Sequence, residues 1–363
     1  MKVLYADLER EWRGGQSQAL LTVSGLKQQG LQADLLAAKD SPLAERAADS
    51  GIKVHQVGRL ALRLQAAAEL HRLIPGSGYD LIHLNEAHAL TSAWLAKSHR
   101  RVPLLISRRI GFPLQKNPLS QARFAAIERF LASSETVSQS LLDSGIAAER
   151  ISIVNEGVLV PPPFTMEERA RARKHWGISR DEILFGCVSV FVPEKGQRHL
   201  VEALPAVRAV YPGVRLLLAG DGACRASLES LTKQLGQTDA VLFPGFVNQV
   251  EQVYAALDAY VFPSEFEGLG TALLVAMGIG LPCISTRRGA LREVVDHGRT
   301  ALVAEPDGKE FAAAMLKLIG DKSLQESIGK EGRRKIEQTF SAERMVANTI
   351  RVYEEVLKKR RTA

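Results

Sequence analysis

Two carboxylates and two glycines follow a short apolar run in the C-terminal half of the chain. The run 259–262 has the composition of a buried strand, and Glu265 and Glu267 come just before Gly268 and Gly270. Glycines let a backbone approach a ligand closely, and the free amides at a helix start bind anions. Carboxylates repel phosphate, so we expect them to accept hydrogen bonds from sugar or ribose hydroxyls. The alternative is an ordinary strand-to-helix turn whose acid is stabilised by the helix dipole.

A lysine occupies a similar junction earlier in the chain. The apolar run 183–190 predicts a strand, and Lys195 follows it in the sequence Pro-Glu-Lys-Gly, directly before a segment with helical character. A lysine at the start of a helix can neutralise a diphosphate as a point charge on a flexible stem. The alternative is a solvated lysine next to a turn.

Two further groups of candidates lie in the N-terminal half. Gly14 and Gly15 form a turn after the first predicted strand and open a helix, so their amides can face a phosphate or a substrate. His83, Glu86 and His88 lie at the C-terminal end of the fourth predicted strand, where they can bind an acceptor or move a proton. Their order is not a metal-binding signature, and the sequence predicts no metal site here.

Basic residues are concentrated in one part of the chain. The formal net charge is +7, and Arg and Lys are interleaved with apolar side chains between residues 100 and 123. The basic residues of this stretch are Arg100, Arg101, Arg108, Arg109, Lys116 and Arg123. A basic, partly apolar surface can hold anionic lipid head groups or nucleic acid. A solvated basic face without a partner is the alternative.

Composition and length indicate a globular protein with two domains. The chain has 363 residues, of which 46% are hydrophobic and 24% charged, and these values exclude disordered and fibrous classes. It contains three cysteines and no CxxC pair, which favours free thiols in a reducing compartment. No run reaches the roughly 18 apolar residues of a membrane span, and the N-terminus resembles a strand more than a signal peptide. We therefore expect a cytoplasmic protein.

Strands and helices alternate along both halves of the sequence. Short apolar runs predict strands, and the segments between them have helical spacing, which indicates βαβ units and mainly parallel sheets. The predicted strands cover residues 3–6, 33–36, 54–57, 80–84, 104–107, 130–132, 151–154, 183–190, 214–219, 240–243, 259–262, 282–285 and 301–303. Three consecutive prolines at 161–163 interrupt this alternation and mark a domain linker. Ligands of open α/β folds bind at the carboxyl ends of the strands, so we expect a cleft between the two domains.

Several motifs together resemble glycosyltransferase family four, whose members are retaining enzymes of GT-B fold. The motifs are Glu267-Gly268-Leu269-Gly270 within PSxxEGxG, Pro193-Glu194-Lys195-Gly196, Ala219-Gly220-Asp221-Gly222, Pro244-Gly245-Phe246, the Gly14-Gly15 turn and Asn155-Glu156-Gly157-Val158. They occur in the family's order and close to its spacing, and the likeness covers nearly the whole chain. It is closest to bacterial enzymes that build lipopolysaccharide and other surface glycans.

The resemblance implies a domain plan. Residues 1–160 would form an acceptor-binding Rossmann-like domain, and residues 165–340 a second Rossmann-like domain that binds the nucleotide-sugar. Residues 341–363 would form a helix that crosses back to the first domain. Apolar residues at helical spacing in the last segment, with Ser341 as its N-cap, agree with that helix.

The resemblance also assigns roles to single residues. Lys195 and Glu267 would be catalytic, with Lys195 on the diphosphate and Glu267 on donor-sugar hydroxyls. Residues that would bind the rest of the donor are Gly14, Gly15, Gly245, Phe246, Gly268, Leu269, Gly270 and Thr271. Glu86, Arg108 and Arg109 would face the acceptor. Such enzymes need no divalent metal and no cofactor, and the chain has no Asp-x-Asp motif of the metal-binding type.

The expected reaction is transfer of a hexose or heptose from a nucleotide diphosphate to a glycan or lipid-linked acceptor. The basic stretch around Arg108–Arg123 predicts peripheral contact with an anionic membrane, and we expect no nucleic-acid partner. Val275 occupies the place of the family's second acid, and Val190 stands at the position that matches a phosphate-binding arginine of the family. These two departures keep one alternative open, a non-catalytic subunit that binds a nucleotide-sugar and partners an active enzyme. A dehydrogenase is not favoured, because no GxGxxG follows the first predicted strand.

Overall fold

The computed structural model describes residues 1–58, 60–115 and 117–362, so Lys116 of the basic stretch lies outside the described residues. Contacts divide the chain into two compact units. The first contains Met1–Gly157 and Phe340–Ala363, and the second contains Val158–Thr339. The chain therefore passes from one unit to the other twice.

The first unit alternates strands and helices in chain order. Its strands are β1 (Lys2–Asp7), β2 (Gln32–Ala38), β3 (Lys53–Val57), β4 (Leu81–Leu84), β5 (Leu104–Arg108), β6 (Arg129–Ala132) and β7 (Ile151–Ile153). Its helices before the first crossing are α1 (Gly14–Gln28), α2 (Pro42–Asp49), α3 (Leu62–Leu73), α4 (Ala87–Leu95), α5 (Pro118–Ala125) and α6 (Glu135–Asp143).

The second unit repeats the alternation. Its strands are β8 (Ile183–Val188), β9 (Val214–Ala219), β10 (Val241–Gly245), β11 (Ala259–Phe262), β12 (Cys283–Ser285) and β13 (Leu302–Val303). Its helices are α7 (Met166–His175), α8 (Gln197–Val210), α9 (Arg225–Gln234), α10 (Glu251–Ala256), α11 (Thr271–Ile279), α12 (Leu291–Val294), α13 (Gly308–Gly320) and α14 (Lys322–Lys335). The last helix, α15 (Ala342–Thr362), returns to the first unit.

Each unit contains one parallel sheet, which confirms the predicted fold class. The first sheet has seven strands in the order β3-β2-β1-β4-β5-β6-β7, and the second has six in the order β10-β9-β8-β11-β12-β13. In each sheet the chain first adds strands in one direction and then returns to add the remaining strands on the other side of the first one. This reversal lies between β1 and β4 in the first sheet and between β8 and β11 in the second. Loops diverge at such a reversal and leave a crevice at the carboxyl ends of the strands, where open α/β sheets bind ligands.

Both faces of the first sheet are covered by apolar side chains, as a parallel sheet requires. Along β1, Leu4 and Ala6 belong to one buried cluster, and Val3 and Tyr5 belong to the cluster on the opposite face. In the second unit a corresponding cluster forms around Phe185, between α8 and α13. Most of the strands are therefore mainly hydrophobic, and this explains why the sequence pattern located them well.

Helix α15 completes one face of the first sheet. The hydroxyl of Ser341 accepts a hydrogen bond from the amide of Arg344 at 3.3 Å, which confirms the predicted N-cap. Apolar residues on one side of α15 are buried with residues of α1: Met345, Val346, Val352, Tyr353 and Val356 pack in the cluster of Ala19, Val23 and Leu26. The last segment of the chain is thus part of the core of the first unit.

Local differences from the sequence prediction have physical reasons. The predicted strand 183–190 ends at Val188, because the carbonyl of Val190 accepts a hydrogen bond from the Gln197 side chain at 2.9 Å instead of continuing the sheet. The short helices α2 and α5 were not predicted, although each begins with a polar cap followed by proline (Ser41-Pro42 and Asn117-Pro118). None of the described helices combines the length and the apolar character that a bilayer span requires.

Candidate functional site

The loops that follow β8 and β11 lie side by side, because these two strands are neighbours at the reversal of the second sheet. The first loop contains a short 3-10 turn at Pro193–Lys195 before α8, and the second runs from residue 263 to residue 270 before α11. The two sequence motifs predicted to bind a donor are thus brought together at one edge of the second sheet.

Backbone contacts tie the two loops to each other. The amide of Glu265 donates a hydrogen bond to the carbonyl of Glu194 at 2.8 Å. Gly196 has a φ of 65°, and a Cβ at this position would lie 2.3 Å from the carbonyl oxygen of Pro263. Only glycine fits this left-handed position so close to another backbone. The position of Lys195 is therefore fixed relative to the loop that carries Glu267.

Lys195 and Glu267 form an ion pair within the second unit. The Lys195 Nζ contacts the Glu267 Oε1, and the Ser264 hydroxyl lies 3.1 Å from the same carboxylate oxygen. Their side chains are only 20% and 12% exposed, so water screens the pair less than it would on an open surface. A cation and an acceptor of hydrogen bonds therefore occupy one partly buried location.

The start of α11 offers backbone amides beside this pair. Gly270 precedes the helix with a φ of 74°, and the first turn has neither an acidic residue nor a side-chain cap. Leu269 is 1% exposed, so its side chain belongs to the core and only its backbone is available to a ligand. The positive end of the α11 dipole is thus not neutralised by a neighbouring acid in the first turn, which suits an anion.

Gly245 and Phe246 lie at the end of β10, two strands away from β8 in the sheet order. Gly245 has a φ of 79°, and its carbonyl accepts a hydrogen bond from Gly220 at 2.9 Å. Phe246 is 73% exposed, which is unusual for an aromatic side chain. An exposed ring at the carboxyl edge of the sheet can stack on a planar ligand group, and the role of Phe246 in donor binding stays a prediction.

In the first unit, a buried polar network lies at the reversal between β1 and β4. The Asp7 carboxylate accepts hydrogen bonds from Asn85 at 2.6 Å and from Gln16 at 3.0 Å. Asn85 also donates to the carbonyl of Gly15 at 3.1 Å, and its own carbonyl oxygen accepts from Tyr5 at 2.8 Å. Burial raises the pKa of Asp7. The network fixes the turn that contains Gly14 and Gly15.

Sequence reasoning did not identify Asp7, Gln16 and Asn85 as part of this site. One signal was present: Asp7 and Asn85 are polar residues at the ends of two apolar runs, and both are almost fully buried. Polar groups that end buried parallel strands lie at the edge where ligands bind. The sequence alone does not reveal that these two strands are neighbours.

Glu86 has a structural role that the sequence analysis did not anticipate. It is the N-cap of α4, and its carboxylate accepts hydrogen bonds from the amides of His88, Ala89 and Leu8. Burial, together with the nearby charge of Asp7, raises the pKa of Glu86 to about 7. Because the carboxylate is engaged by three amides, Glu86 positions the loop after β1 as well as α4.

Arg108 and Arg109 end β5 and begin the loop that follows. Arg109 forms an ion pair with Glu156, with 3.0 Å between Nε and Oε1, and donates to the carbonyl of Asn85 at 3.3 Å. Arg108 donates to the carbonyl of Phe112 at 2.7 Å, and burial lowers its pKa. Arg109 thus adjoins the Asp7 network, whereas Arg108 shapes its own loop.

His83 and His88, the two histidines of the predicted group, have different surroundings in the structure. His83 is 1% exposed and lies between the hydroxyl of Tyr353 in α15 and that of Ser107, 2.7 Å from the Ser107 Oγ. Burial and the charge of Arg109 lower the pKa of His83 to about 3. His83 is therefore a neutral link between the sheet and α15. His88 remains partly exposed at the surface of the same unit.

Glu9, Glu86 and His88 bring potential ligand atoms within 4.8 Å of one another. Two facts make this trio a poor cation site. The Glu86 carboxylate already accepts three amide hydrogen bonds, and the Nδ1 of His88 accepts one from Arg63 at 2.8 Å. Few lone pairs are left to coordinate an ion.

Two family models together match most of the chain. Residues 168–335 match the family model described as "Glycosyl transferases group 1", and residues 13–155 match the model described as "Glycosyl transferase 4-like domain". The N-acetyl-alpha-D-glucosaminyl L-malate synthase of Bacillus anthracis is 32% identical over 196 residues, which are 54% of this chain and 51% of the relative. The capsular polysaccharide biosynthesis glycosyltransferase CapM of Staphylococcus aureus is 28% identical over 228 residues, covering 61% and 60% of the two chains.

The chain thus spans between half and three-fifths of the length of these curated relatives. The likeness to solved structures extends over almost the whole chain. The crystal structure of the Anabaena protein HepE in complex with UDP and glucose superposes with a TM-score of 0.84. The superposition covers 98% of this chain and 99% of the HepE chain, at 20% sequence identity. At this identity the likeness shows a shared fold and nothing further.

Proposed function

The chain belongs to the glycosyltransferases of GT-B fold, and we propose that it transfers a hexose or heptose from a nucleotide-diphosphate sugar to a glycan or lipid-linked acceptor. The observation that carries the proposal is the pairing of Lys195 with Glu267 beside the start of α11, at the reversal of the second sheet. This arrangement supplies a cation and amides for a diphosphate and a carboxylate for sugar hydroxyls.

In the proposed reaction, Lys195 and the amides of Leu269, Gly270 and Thr271 stabilise the diphosphate as it leaves. Charge that develops on the leaving group is then met by groups already in position, which is the most effective form of electrostatic catalysis. Glu267 accepts hydrogen bonds from hydroxyls of the transferred sugar. In the first unit, the turn of Gly14 and Gly15, held by Asn85, is proposed to contribute backbone amides to donor binding.

We further propose that transfer proceeds with retention at the anomeric carbon and without a divalent metal or other cofactor. Lys195 and the α11 dipole carry positive charge to the place where a metal would otherwise be used. The surface-glycan relative CapM supports a role in bacterial cell-surface polysaccharide or lipopolysaccharide synthesis. Glu86, Arg108 and Arg109 belong to the acceptor side in this proposal, with Glu86 acting through the loop that it holds.

The test is a donor screen with the purified protein in EDTA. We expect hydrolysis of, or transfer from, at least one UDP-, GDP- or ADP-sugar. Lys195→Ala and Glu267→Ala should each lower kcat by at least about 100-fold, the range for loss of one preorganised electrostatic contact. Lys317→Ala and Glu310→Ala serve as matched controls, since both side chains are exposed on α13.

Two results would contradict the proposal. Turnover that appears only when a divalent metal is added would contradict the metal-independent mechanism. Binding of a nucleotide-sugar without turnover across a broad panel of donors and acceptors would favour the alternative, a non-catalytic subunit that partners an active enzyme. Anomeric analysis of the product tests retention separately.

Contact with an anionic membrane, at the inner face of the plasma membrane, is a further part of the proposal. Residues 87–127 contain seven Lys or Arg and no Asp or Glu. Ile110, Phe112 and Leu119 in this segment are 49%, 58% and 57% exposed. Exposed apolar side chains in a segment rich in basic residues suit a bilayer with anionic lipids. Flotation with anionic vesicles tests this, and equal recovery with neutral vesicles would exclude it.

A further inference from the structure

One cavity of the first unit is lined by none of the residues assigned to the donor. It has a volume of about 600 Å³ and lies between the loop after β1, residues 8–13, and the start of α3, residues 61–64, with His88 of α4 beside it. We call it the arginine pocket, because Arg10, Arg13 and Arg63 line it. Cavities of this size hold a small molecule or the head of a larger one.

Arg63 is held in a defined position at this pocket. Its Nε donates a hydrogen bond to the Nδ1 of His88 at 2.8 Å. An arginine can only donate, so Nδ1 must be the unprotonated nitrogen of the ring and Nε2 carries the proton. Nε2 in turn faces the Glu9 carboxylate at 3.7 Å. The contacts from Arg63 to His88 and from His88 to Glu9 occupy one edge of the Arg63 guanidinium. They therefore fix the orientation of the whole planar group.

Arg13 is held less firmly than Arg63. It pairs with Glu11, its neighbour two positions earlier, and the two side chains are 76% and 69% exposed. Such an exposed pair contributes little to stability, so a ligand can compete with Glu11 for Arg13. Glu9 and Glu11 are the acids that line the pocket, and each already faces a basic group, His88 and Arg13 respectively.

The other side of the pocket is apolar and open to solvent. Leu64 lines it and is 64% exposed, and the neighbouring Leu60 is 84% exposed. Ala61, between them, has a φ of 47°, which a residue with a Cβ rarely adopts. The strained backbone at Ala61 and the exposed leucines both cost free energy. Strain of this kind is concentrated at functional sites, which favours a ligand at this pocket. The pocket therefore combines the oriented cation of Arg63 and the exchangeable cation of Arg13 with an exposed apolar wall.

We propose that the arginine pocket binds a phosphate ester that carries an apolar chain, with Arg63 and Arg13 on the phosphate and Leu64 against the chain. Planar guanidinium groups match phosphate oxygens two at a time, which is why arginine suits this group better than lysine. Arg13 directly precedes Gly14 and Gly15, so the bound molecule adjoins the turn assigned to the donor. The inference rests on the proposed function, in which this molecule is the acceptor.

Binding can be tested without any sugar donor. Isothermal titration of the full chain with n-octyl phosphate should give a Kd at least about tenfold lower than with inorganic phosphate or with n-octyl glucoside. The first comparison isolates the apolar chain and the second isolates the charge. Arg63→Gln and Arg13→Gln should each raise the Kd for octyl phosphate about tenfold, as loss of a charged hydrogen-bond donor predicts.

Arg72→Gln is the matched control. Arg72 lies on the same helix as Arg63, and its exposed side chain pairs with Glu69 away from the pocket. It should change the Kd less than about twofold. Circular dichroism of each variant verifies that the fold is intact.

Three outcomes would overturn the assignment: octyl glucoside binding as tightly as octyl phosphate, Arg72→Gln weakening binding as much as Arg63→Gln, or loss of octyl phosphate binding in Lys195→Ala. The last would locate the phosphate in the second unit. The assay is independent of turnover. A chain that binds octyl phosphate through Arg63 but transfers no sugar would contradict the proposed function and leave the pocket assignment standing.

Discussion

Replacing Gly196 with alanine separates the two loops of the candidate donor site. The residue has a φ of 65°, and a Cβ would lie 2.3 Å from the Pro263 carbonyl oxygen. The left-handed backbone costs an alanine about 1–2 kcal/mol. Relief of the clash requires a backbone shift, which adds about 1–3 kcal/mol. We therefore expect Gly196→Ala to lower the free energy of unfolding of the second unit by about 2–5 kcal/mol.

The matched control is Gly236→Ala. Gly236 has nearly the same φ, 66°, but no atom lies within 4 Å of the position of its Cβ. It should lose only the backbone contribution, about 1–2 kcal/mol. The difference between the two variants isolates the contact between the loops.

Urea unfolding followed by tryptophan fluorescence measures both variants. In a background with Trp12 and Trp94 replaced by phenylalanine, the signal comes from Trp176, whose indole donates to the carbonyl of Gln252 in the second unit. Because Gly196 follows Lys195 directly, Gly196→Ala should also weaken binding of the nucleotide-sugar at least about tenfold, or ~1.4 kcal/mol. Equal losses of stability in the two variants, with unchanged donor binding, would refute the idea that this contact positions Lys195.

Two further predictions concern the first unit. Tyr353→Phe removes a hydrogen-bond partner of the buried His83 and should lower the free energy of unfolding by about 1–3 kcal/mol in urea titrations. Tyr211→Phe should change it little, since that hydroxyl has no protein partner among the described residues, and equal effects would contradict the role of His83. Glu86 has a pKa raised to about 7 from an ordinary value of 4.5, so the folded state binds its proton more tightly. Stability should therefore fall as pH rises from about 4.5 to about 7, by at most ~1.4 kcal/mol per pH unit. Glu86→Gln should lack this slope, and parallel pH profiles of the two proteins would contradict the assignment.

The fold was largely predictable because its strands are short, continuous apolar runs. A parallel sheet buried on both faces requires such runs, and every predicted strand corresponds to an observed one. The motifs around Lys195 and Glu267 are also local, each lying in a single strand-to-helix loop. Their position in the sequence was therefore enough to select them, and the sheet order explains why they meet.

The first unit was harder to interpret because its polar groups act across long separations. Asp7 and Asn85 are 78 positions apart in the chain, and only the pairing of β1 with β4 joins them. The capping role of Glu86 was not predicted, since glutamate is not among the usual N-cap residues. Arg63 gave no signal at all, because a single arginine near a helix start is common on protein surfaces.

The return of α15 to the first unit has a consequence for the order in which the chain folds during synthesis. The second unit is one continuous segment, Val158–Thr339, and all its contacts are available once that segment has left the ribosome. The first unit, although synthesised earlier, leaves the apolar face around Ala19 and Val23 uncovered until α15 arrives. Domains usually fold in the order of synthesis. In this chain the N-terminal unit is expected to finish last.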